Sequence, residues 1–287
     1  AGGVTGLLAG VVAVTFPPAG LVLGGGAVLG LTALSAGFGA WMAGMVGIGL
    51  PSSQLEKFEA RIKAGELLIM IDVPRIKVAE VEALADAVST DHSTIDVLIN
   101  NAGVFSLTNP LSENGLDLRF VVNTIAPYAL TKRLLPALTK SSRIVNLSSA
   151  AQSPVDLEAL SGKHQLDENA AYAQSKLAIT MWSFHLAEVL GSDGPVVVAV
   201  NPASFLASKM VAEAYGVDGK DIGIGADILV RAALSDEFAT ASGRYFDNDR
   251  GQFSQPHPDA LDASKNKKLV SALEAVIAKE IEKGKEE

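Results

Sequence analysis

The segment Ala171-Tyr172-Ala173-Gln174-Ser175-Lys176-Leu177-Ala178 sets a phenol and an ammonium four residues apart in a stretch of helical character. On an α-helix, positions i and i+4 share one face, so both groups point the same way. A free Tyr titrates near pH ~10 and a free Lys near ~10.4. A cation held beside the phenol favours phenolate, which makes Tyr172 a usable acid or base close to neutral pH. A second Tyr-x-x-x-Lys, Tyr128 to Lys132, has the same spacing with no strand and hydroxyl ahead of it, and reads as structural. Tyr172 instead follows, by 23 residues, the apolar run Arg143-Ile-Val-Asn-Leu-Ser-Ser149. Before that comes Ile95-Asp-Val-Leu-Ile-Asn-Asn-Ala-Gly103, a second strand-like run that enters a polar turn ending in Gly.

Composition narrows the chemistry. The chain has 287 residues, enough for one large α/β domain with or without an appendage. A net charge of −9 argues against non-specific nucleic-acid binding. Zero Cys excludes a disulfide scaffold, thiolate catalysis and Cys-ligated zinc. His92, His164, His185 and His257 show no ligand spacing, so no metal site is expected. Mean hydropathy is +0.30, high for a soluble protein, and the excess is localised: no charged residue precedes Glu56.

Asn100-Asn101-Ala102-Gly103, then Ser148-Ser149, then Tyr172-x-x-x-Lys176, in that order, resembles the short-chain dehydrogenase/reductase family. The likeness is specific over residues 94–247 and extends to about 66–262. It implies an α/β fold with a doubly wound parallel sheet, a small alcohol or carbonyl substrate, and NADP or NAD as cofactor. It further implies catalytic roles for Ser149, Tyr172, Lys176 and Asn123. Tyr172 would exchange a proton with the substrate oxygen, and Ser149 would bind that oxygen. Lys176 would lower the Tyr pKa and hold the nicotinamide ribose, and Asn123 would hold a water leading to solvent. The cofactor-binding set is Asp72 and Val73, expected at the end of the third strand, with Asn100, Asn101, Ala102, Gly103, Tyr172, Lys176 and Pro202. Ala203 stands where the family usually has Gly after Pro, which limits φ there. The long helices expected at Asp117–Leu138 and Ala171–Leu190 match the family's usual dimer surfaces, so a homo-oligomer is expected. Around Leu50–Gln54 no acid is present to bind a ribose hydroxyl and no base to bind a phosphate, and the missing acid leans towards NADP. The stretch Asp156–Glu168 reads as an insertion beside the substrate, similar to the retinol-dehydrogenase-like branch that takes apolar alcohols and carbonyls.

Residues 1–50 form an apolar, glycine-rich segment and residues 51–287 the dehydrogenase-like domain. Val4–Phe16 is one apolar run. Ala19–Leu50 is another, long enough for a bilayer, which takes about 20 residues. Small residues recur four apart at Gly2, Gly6 and Gly10, at Gly20 and Gly24, and at Gly26 and Gly30, a spacing that lets helices approach in lipid. Residues 1–88 also resemble a family of small glycine-rich bacterial membrane proteins of unknown function. The rival reading makes Leu21-Val22-Leu23 a strand and Gly24–Gly30 the turn that cradles a diphosphate at a helix N-terminus. The two readings imply a cytoplasmic enzyme, soluble or tethered at the membrane through residues 1–50, or a non-catalytic membrane-associated protein carrying a dehydrogenase-like remnant. If no N-terminal strand joined the sheet, the strand ending at Asn100 would expose an apolar edge. Residues 19–73 are therefore expected to enter the sheet.

The remaining elements follow from periodicity. Helices are expected at Ser53–Lys63, Val78–Val88, Gly225–Leu234 and Lys267–Lys285. Strands are expected at Glu66–Val73, Asp96–Asn100, Arg143–Ser149, Pro195–Val200 and Gly243–Asp247. The catalytic helix should stop at Gly191, and the family resemblance implies that Ser204–Asp221 covers the substrate.

Overall fold

A computed structural model describes residues 15–16, 21–25, 68–72, 78–208, 210–211, 216 and 218–283. The strands are β1 (Thr15–Phe16), β2 (Leu21–Gly25), β3 (Leu68–Asp72), β4 (Ile95–Asn100), β5 (Leu138–Leu147), β6 (Val196–Asn201), β7 (Arg244–Asp247) and β8 (Gln252–Ser254). They form one sheet in chain order. β3 to β7 run parallel, while β1, β2 and β8 pair antiparallel to their neighbours. The helices are α1 (Val78–Asp91), α2 (Leu118–Phe120, Val121–Ile125 and Ala126–Leu134 in succession), α3 (Leu157–Leu160), α4 (Glu168–Leu190), α5 (Gly223–Leu234) and α6 (Ala263–Lys283). A parallel sheet with helices on both faces is the doubly wound arrangement.

Alternation along the strands divides the core. Leu98, Ile144 and Val197 face α1, α2, α4 and α6, whereas Val97, Ile99, Val145, Leu147, Val198 and Val200 face α5 with Phe238 and Phe246. All are buried, which explains why β6 reads as a continuous apolar run: a parallel strand is covered on both sides.

Several boundaries differ from the sequence expectation for identifiable reasons. The long helix ends at Leu134 with a 3-10 turn at Leu135–Ala137, and Leu138 already pairs with Ile95 in β5. Pro136 in that turn has no N–H to continue a helix. β5 begins five residues before Arg143 because Thr139–Ser141 are exposed and polar, so they carry no apolar signal; it ends at Leu147, leaving Ser148 and Ser149 beyond the strand. α4 starts at Glu168, not Ala171, because the Asp167 carboxylate caps it by accepting from Ala170 N at 2.9 Å. Its stop at Gly191 is observed, with φ of 61°.

Leu21–Gly25 is a strand, and it pairs antiparallel with β3. β3 lies directly beside β4, with Met70 opposite Ile99. In the order 3-2-1-4 a third strand would sit at the outside of the sheet. Asp72 therefore ends the immediate neighbour of β4, at the same sheet edge as Asn100 and not at an outer position. The expected helix Ser53–Lys63, the turn residues Gly26–Gly30, Val73 and the remainder of the two apolar runs lie outside the described residues, as does Lys285. Among the described residues, no helix is long and apolar enough to cross a membrane.

Candidate active site

The C-terminal ends of β4 and β5 meet α4 at Lys176. Lys176 is buried there, and its Nζ donates to Leu147 O at 3.0 Å. Nζ lies 5.8 Å from the centre of the Tyr172 ring. Among the described residues it forms no ion pair. Burial pushes its ammonium down to about 8. Tyr172 is half-buried and takes the edge of the Phe105 ring, with centroids 4.8 Å apart and planes at 89°. A phenol thus stands between an apolar ring and a cation.

The second Tyr-x-x-x-Lys has the opposite environment. Tyr128 OH donates to Glu274 Oε1 at 2.9 Å, Lys132 donates to the same oxygen at 3.3 Å, and the ring packs edge-on to Trp182. Burial, then the Glu274 hydrogen bond and charge, raise the Tyr128 pKa. Two pairs of identical spacing differ because one lysine is spent on a carboxylate and the other is not.

Asn123 is buried in Val121–Ile125, a π-helical segment interrupting α2. Such segments recur at functional sites. Its amide donates to Val104 O at 3.0 Å and Ser175 Oγ at 2.9 Å, and its Oδ1 accepts from Val104 N at 2.8 Å. Both amide hydrogens are thereby used within the protein, so the side chain braces the turn after β4 against α4 and has none left to donate to a water. Ser175 relays the contact by donating to Tyr172 O at 2.7 Å.

The turn 101–103 separates into distinct parts. The Asn100 side chain is buried and bonds Asn146 Oδ1 at 2.6 Å and Thr131 Oγ1 at 3.0 Å, so it ties β4 to β5 and α2. Asn101 is exposed at the sheet edge, and Ala102 packs on the core. At Gly103 a methyl group would lie 3.4 Å from Lys176 Nζ, 3.6 Å from Asn123 Oδ1 and 3.6 Å from Met210 Cε. These are ordinary van der Waals separations, so the backbone of the turn runs in close contact with the lysine.

The two serines also separate. Ser148 is buried, with its Oγ 2.6 Å from Thr180 Oγ1. Ser149 is half-buried; its Oγ accepts from Ala151 N at 3.1 Å, which leaves the hydroxyl proton available. The Ser149 carbonyl accepts from Gln152 Nε2 at 2.9 Å and Tyr245 OH at 3.1 Å. Asp156 caps α3 by accepting from Glu158 N and Ala159 N, and pairs with His164 at 3.2 Å. It orders the segment between Ser149 and Tyr172 and touches none of Ser149, Tyr172, Lys176 and Asn123 through these bonds.

Two parts of the site were not anticipated from sequence. One is Arg119, buried, whose Nε donates to Phe105 O at 2.6 Å while its other nitrogens reach Asp117 at 3.1 Å and Glu168 at 3.2 Å. It fixes the residue that packs on Tyr172. The other is the turn after β7. Asn248 Nδ2 donates to Pro202 O at 2.9 Å, and Asp249 accepts from Ser204 N, Ser204 Oγ, Asn201 Nδ2 and Lys220 Nζ. Asp249 is held down to about 2: desolvation opposes the shift, and hydrogen bonds from Ser204, Asn201 and Lys220 outweigh it. Ala203 and Phe205 in the same loop have φ of 118° and 56°. Non-Gly residues in such regions cost about 1–3 kcal/mol each. Charged residues in loops carry no periodic signal, so only the three-dimensional arrangement exposes this clasp.

The Lys176 environment has a measurable consequence. Unfolded Lys holds its proton to about pH 10.4, whereas the folded group releases it near 8. Between these values the unfolded chain binds more protons, so stability rises with pH across that window; below it the burial penalty is fully present. Lys176→Met is expected to stabilise the protein at pH ~7 by on the order of 1–3 kcal/mol and to flatten this pH dependence. Urea unfolding of both proteins at several pH values checks it; a destabilised variant would contradict it.

A family model described as short chain dehydrogenase matches residues 20–216, so the chain belongs to the short-chain dehydrogenase family. The match begins just ahead of β2, which brings residues 21–30 within it. Human retinol dehydrogenase 13 is 29% identical over 245 residues, covering 77% of this chain and 73% of the relative. Zebrafish polyprenol dehydrogenase is 42% identical over 118 residues, covering 38% and 36%. The crystal structure of an uncharacterised protein from Mycobacterium paratuberculosis superposes with a TM-score of 0.56 at 25% identity, covering 70% and 72%. The family and the doubly wound fold match the expectation drawn from the motifs; the resemblance of residues 1–88 to small membrane proteins finds no such support.

Proposed function

We propose that the chain is an NADP- or NAD-dependent oxidoreductase that interconverts an apolar alcohol and its carbonyl. The observation that carries this reading is the buried Lys176 ammonium beside the Tyr172 ring, with one hydrogen bond to protein for its three donors. A buried cation with donors to spare, beside the backbone of Gly103, suits the hydroxyls of a nicotinamide ribose. Asn101 at the exposed edge, Ala102, Gly103 and Pro202 would line that cofactor, with Asp72 at the end of the strand beside β4. When bound, the cofactor supplies or accepts the hydride.

In the reducing direction Tyr172 gives its phenolic proton to the carbonyl oxygen as the carbonyl carbon gains hydride, leaving an alcohol and a phenolate. The Lys176 charge stabilises that phenolate, and the Ser149 hydroxyl donates to the substrate oxygen as negative charge develops there. Asn123 holds the turn and the helix in register. Oxidation runs the same steps backwards.

The names of the relatives support an apolar substrate: one acts on retinol and another on a polyprenol by name. Phe105, packed edge-on to Tyr172, gives the site an apolar wall. The apolar composition of residues 1–50 supports a lipid-adjacent location, and the likeness of α2 and α4 to the helices of the family's usual dimer surfaces supports a homo-oligomer. Incubation with NADP+ and retinol or a short polyprenol tests the assignment. The expected result is formation of NADPH together with the aldehyde. A protein that binds NADPH and oxidises neither these nor any simpler primary alcohol would contradict it.

A further inference from the structure

We propose that Asp249 is a positioning residue: its carboxylate holds the loop Pro202–Phe205 in the backbone conformation that shapes the cofactor side of the site. The inference rests on the oxidoreductase reading for its effect on binding, and on geometry alone for its effect on the loop.

The loop joins β6 to the stretch carrying Met210, whose Cε would lie 3.6 Å from a side chain placed at Gly103, beside Lys176. Two of its residues, Ala203 and Phe205, adopt φ of 118° and 56°, which L-residues avoid. Such conformations persist only where the surroundings over-determine them. Ser204, the residue between them, gives both its N–H and its hydroxyl to Asp249, at 3.0 and 2.6 Å. Asn201, at the end of β6, gives its amide to the same carboxylate at 3.0 Å, and Lys220 approaches from the other side at 3.3 Å. Lys220 also closes the base of the following segment, since its N–H donates to Phe205 O and its carbonyl accepts from Ala207 N, each at 2.6 Å. Asn248, adjacent to Asp249, secures Pro202 O. Gly225 of α5 leaves room beneath the loop, because a methyl there would lie 2.5 Å from Leu206 Cδ1 and 3.8 Å from Pro202 Cβ. One anion therefore satisfies the donors of the only residue flanked on both sides by strained backbone among the described residues.

The test uses the full chain carrying Asp249→Ala, with Asp249→Asn as a shape-preserving second variant. Amide hydrogen exchange is measured without cofactor, and NADPH affinity and KM are measured alongside kcat. Exchange at Ser204 and Phe205 is expected to accelerate while β4 and β5 stay protected. KM for NADPH should rise about tenfold with a smaller change in kcat, a loss equivalent to about 1.4 kcal/mol. Adding Ala203→Gly to Asp249→Ala should recover most of that loss, because Gly adopts the loop conformation without help. Asp249→Asn should fall between, since it keeps an acceptor for Ser204 and loses the charge for Lys220. Unchanged exchange at Ser204 and Phe205 would overturn the proposal, and so would exchange raised uniformly through the sheet. If wild type failed to bind NADPH while the variant still loosened the loop, the positioning role would stand and the oxidoreductase reading would fall.

Discussion

Tyr172→Phe is expected to lower kcat by about 10²–10⁴-fold, the usual contribution of a positioned general acid or base. The phenyl ring keeps the edge contact with Phe105 and the helix position between Ala171 and Ala173, so folding should be nearly unchanged. The loss is confined to the step in which a proton must move. Tyr128→Phe provides the internal control: it removes a hydrogen bond to Glu274, should cost about 1 kcal/mol of stability, and should leave kcat alone. Steady-state kinetics on the two variants separates the pairs. Equal activity of Tyr172→Phe and wild type would sink the proton-transfer role.

The second large effect concerns stability. Arg119→Met is expected to destabilise the protein by about 3–5 kcal/mol, because it leaves carboxylates without their buried partner. The Arg119 and Asp117 side chains are only 4% and 9% exposed, so solvent offers little compensation there; Glu168 is 39% exposed and loses less. The same change frees Phe105 O and with it the ring that packs on Tyr172. Activity should therefore fall even under conditions where the variant remains folded. Urea unfolding followed by circular dichroism measures the first effect. A loss below about 1 kcal/mol would mean that the network is no stronger than a surface ion pair.

Much of this arrangement was legible in the residues. β4 and β6 and the body of α4 announce themselves because buried strands are apolar throughout and helical positions repeat along one face. The order Asn100–Gly103, Ser148–Ser149, Tyr172–Lys176 marks one sheet edge, because loops after consecutive parallel strands open on the same side. Less legible was everything that depends on contacts between distant segments. Thr139–Ser141 look like loop and form strand, since pairing with a neighbour satisfies the backbone whatever the side chains are. Asn123 was expected from the resemblance to hold a water, whereas the fold makes it the brace between Val104 and Ser175. The Ala203 departure from Gly pointed to this loop, but Asp249 lies 46 residues further on and no local pattern connects them. Likewise, a strand at Leu21–Leu23 was one of two readings of the sequence; that the strand takes in Gly24 and Gly25, expected in the turn, and pairs antiparallel with Leu68–Asp72 was not legible.

The central claim is that the space beside Lys176 receives a nicotinamide cofactor, and direct titration of the full chain with NADPH and with NADH tests it. Fluorescence of the reduced nicotinamide should change saturably at micromolar concentrations, with NADPH favoured, and Lys176→Met should abolish the response while keeping the fold. Absence of saturable binding to folded wild-type protein, with either nucleotide and with or without detergent, would contradict the account.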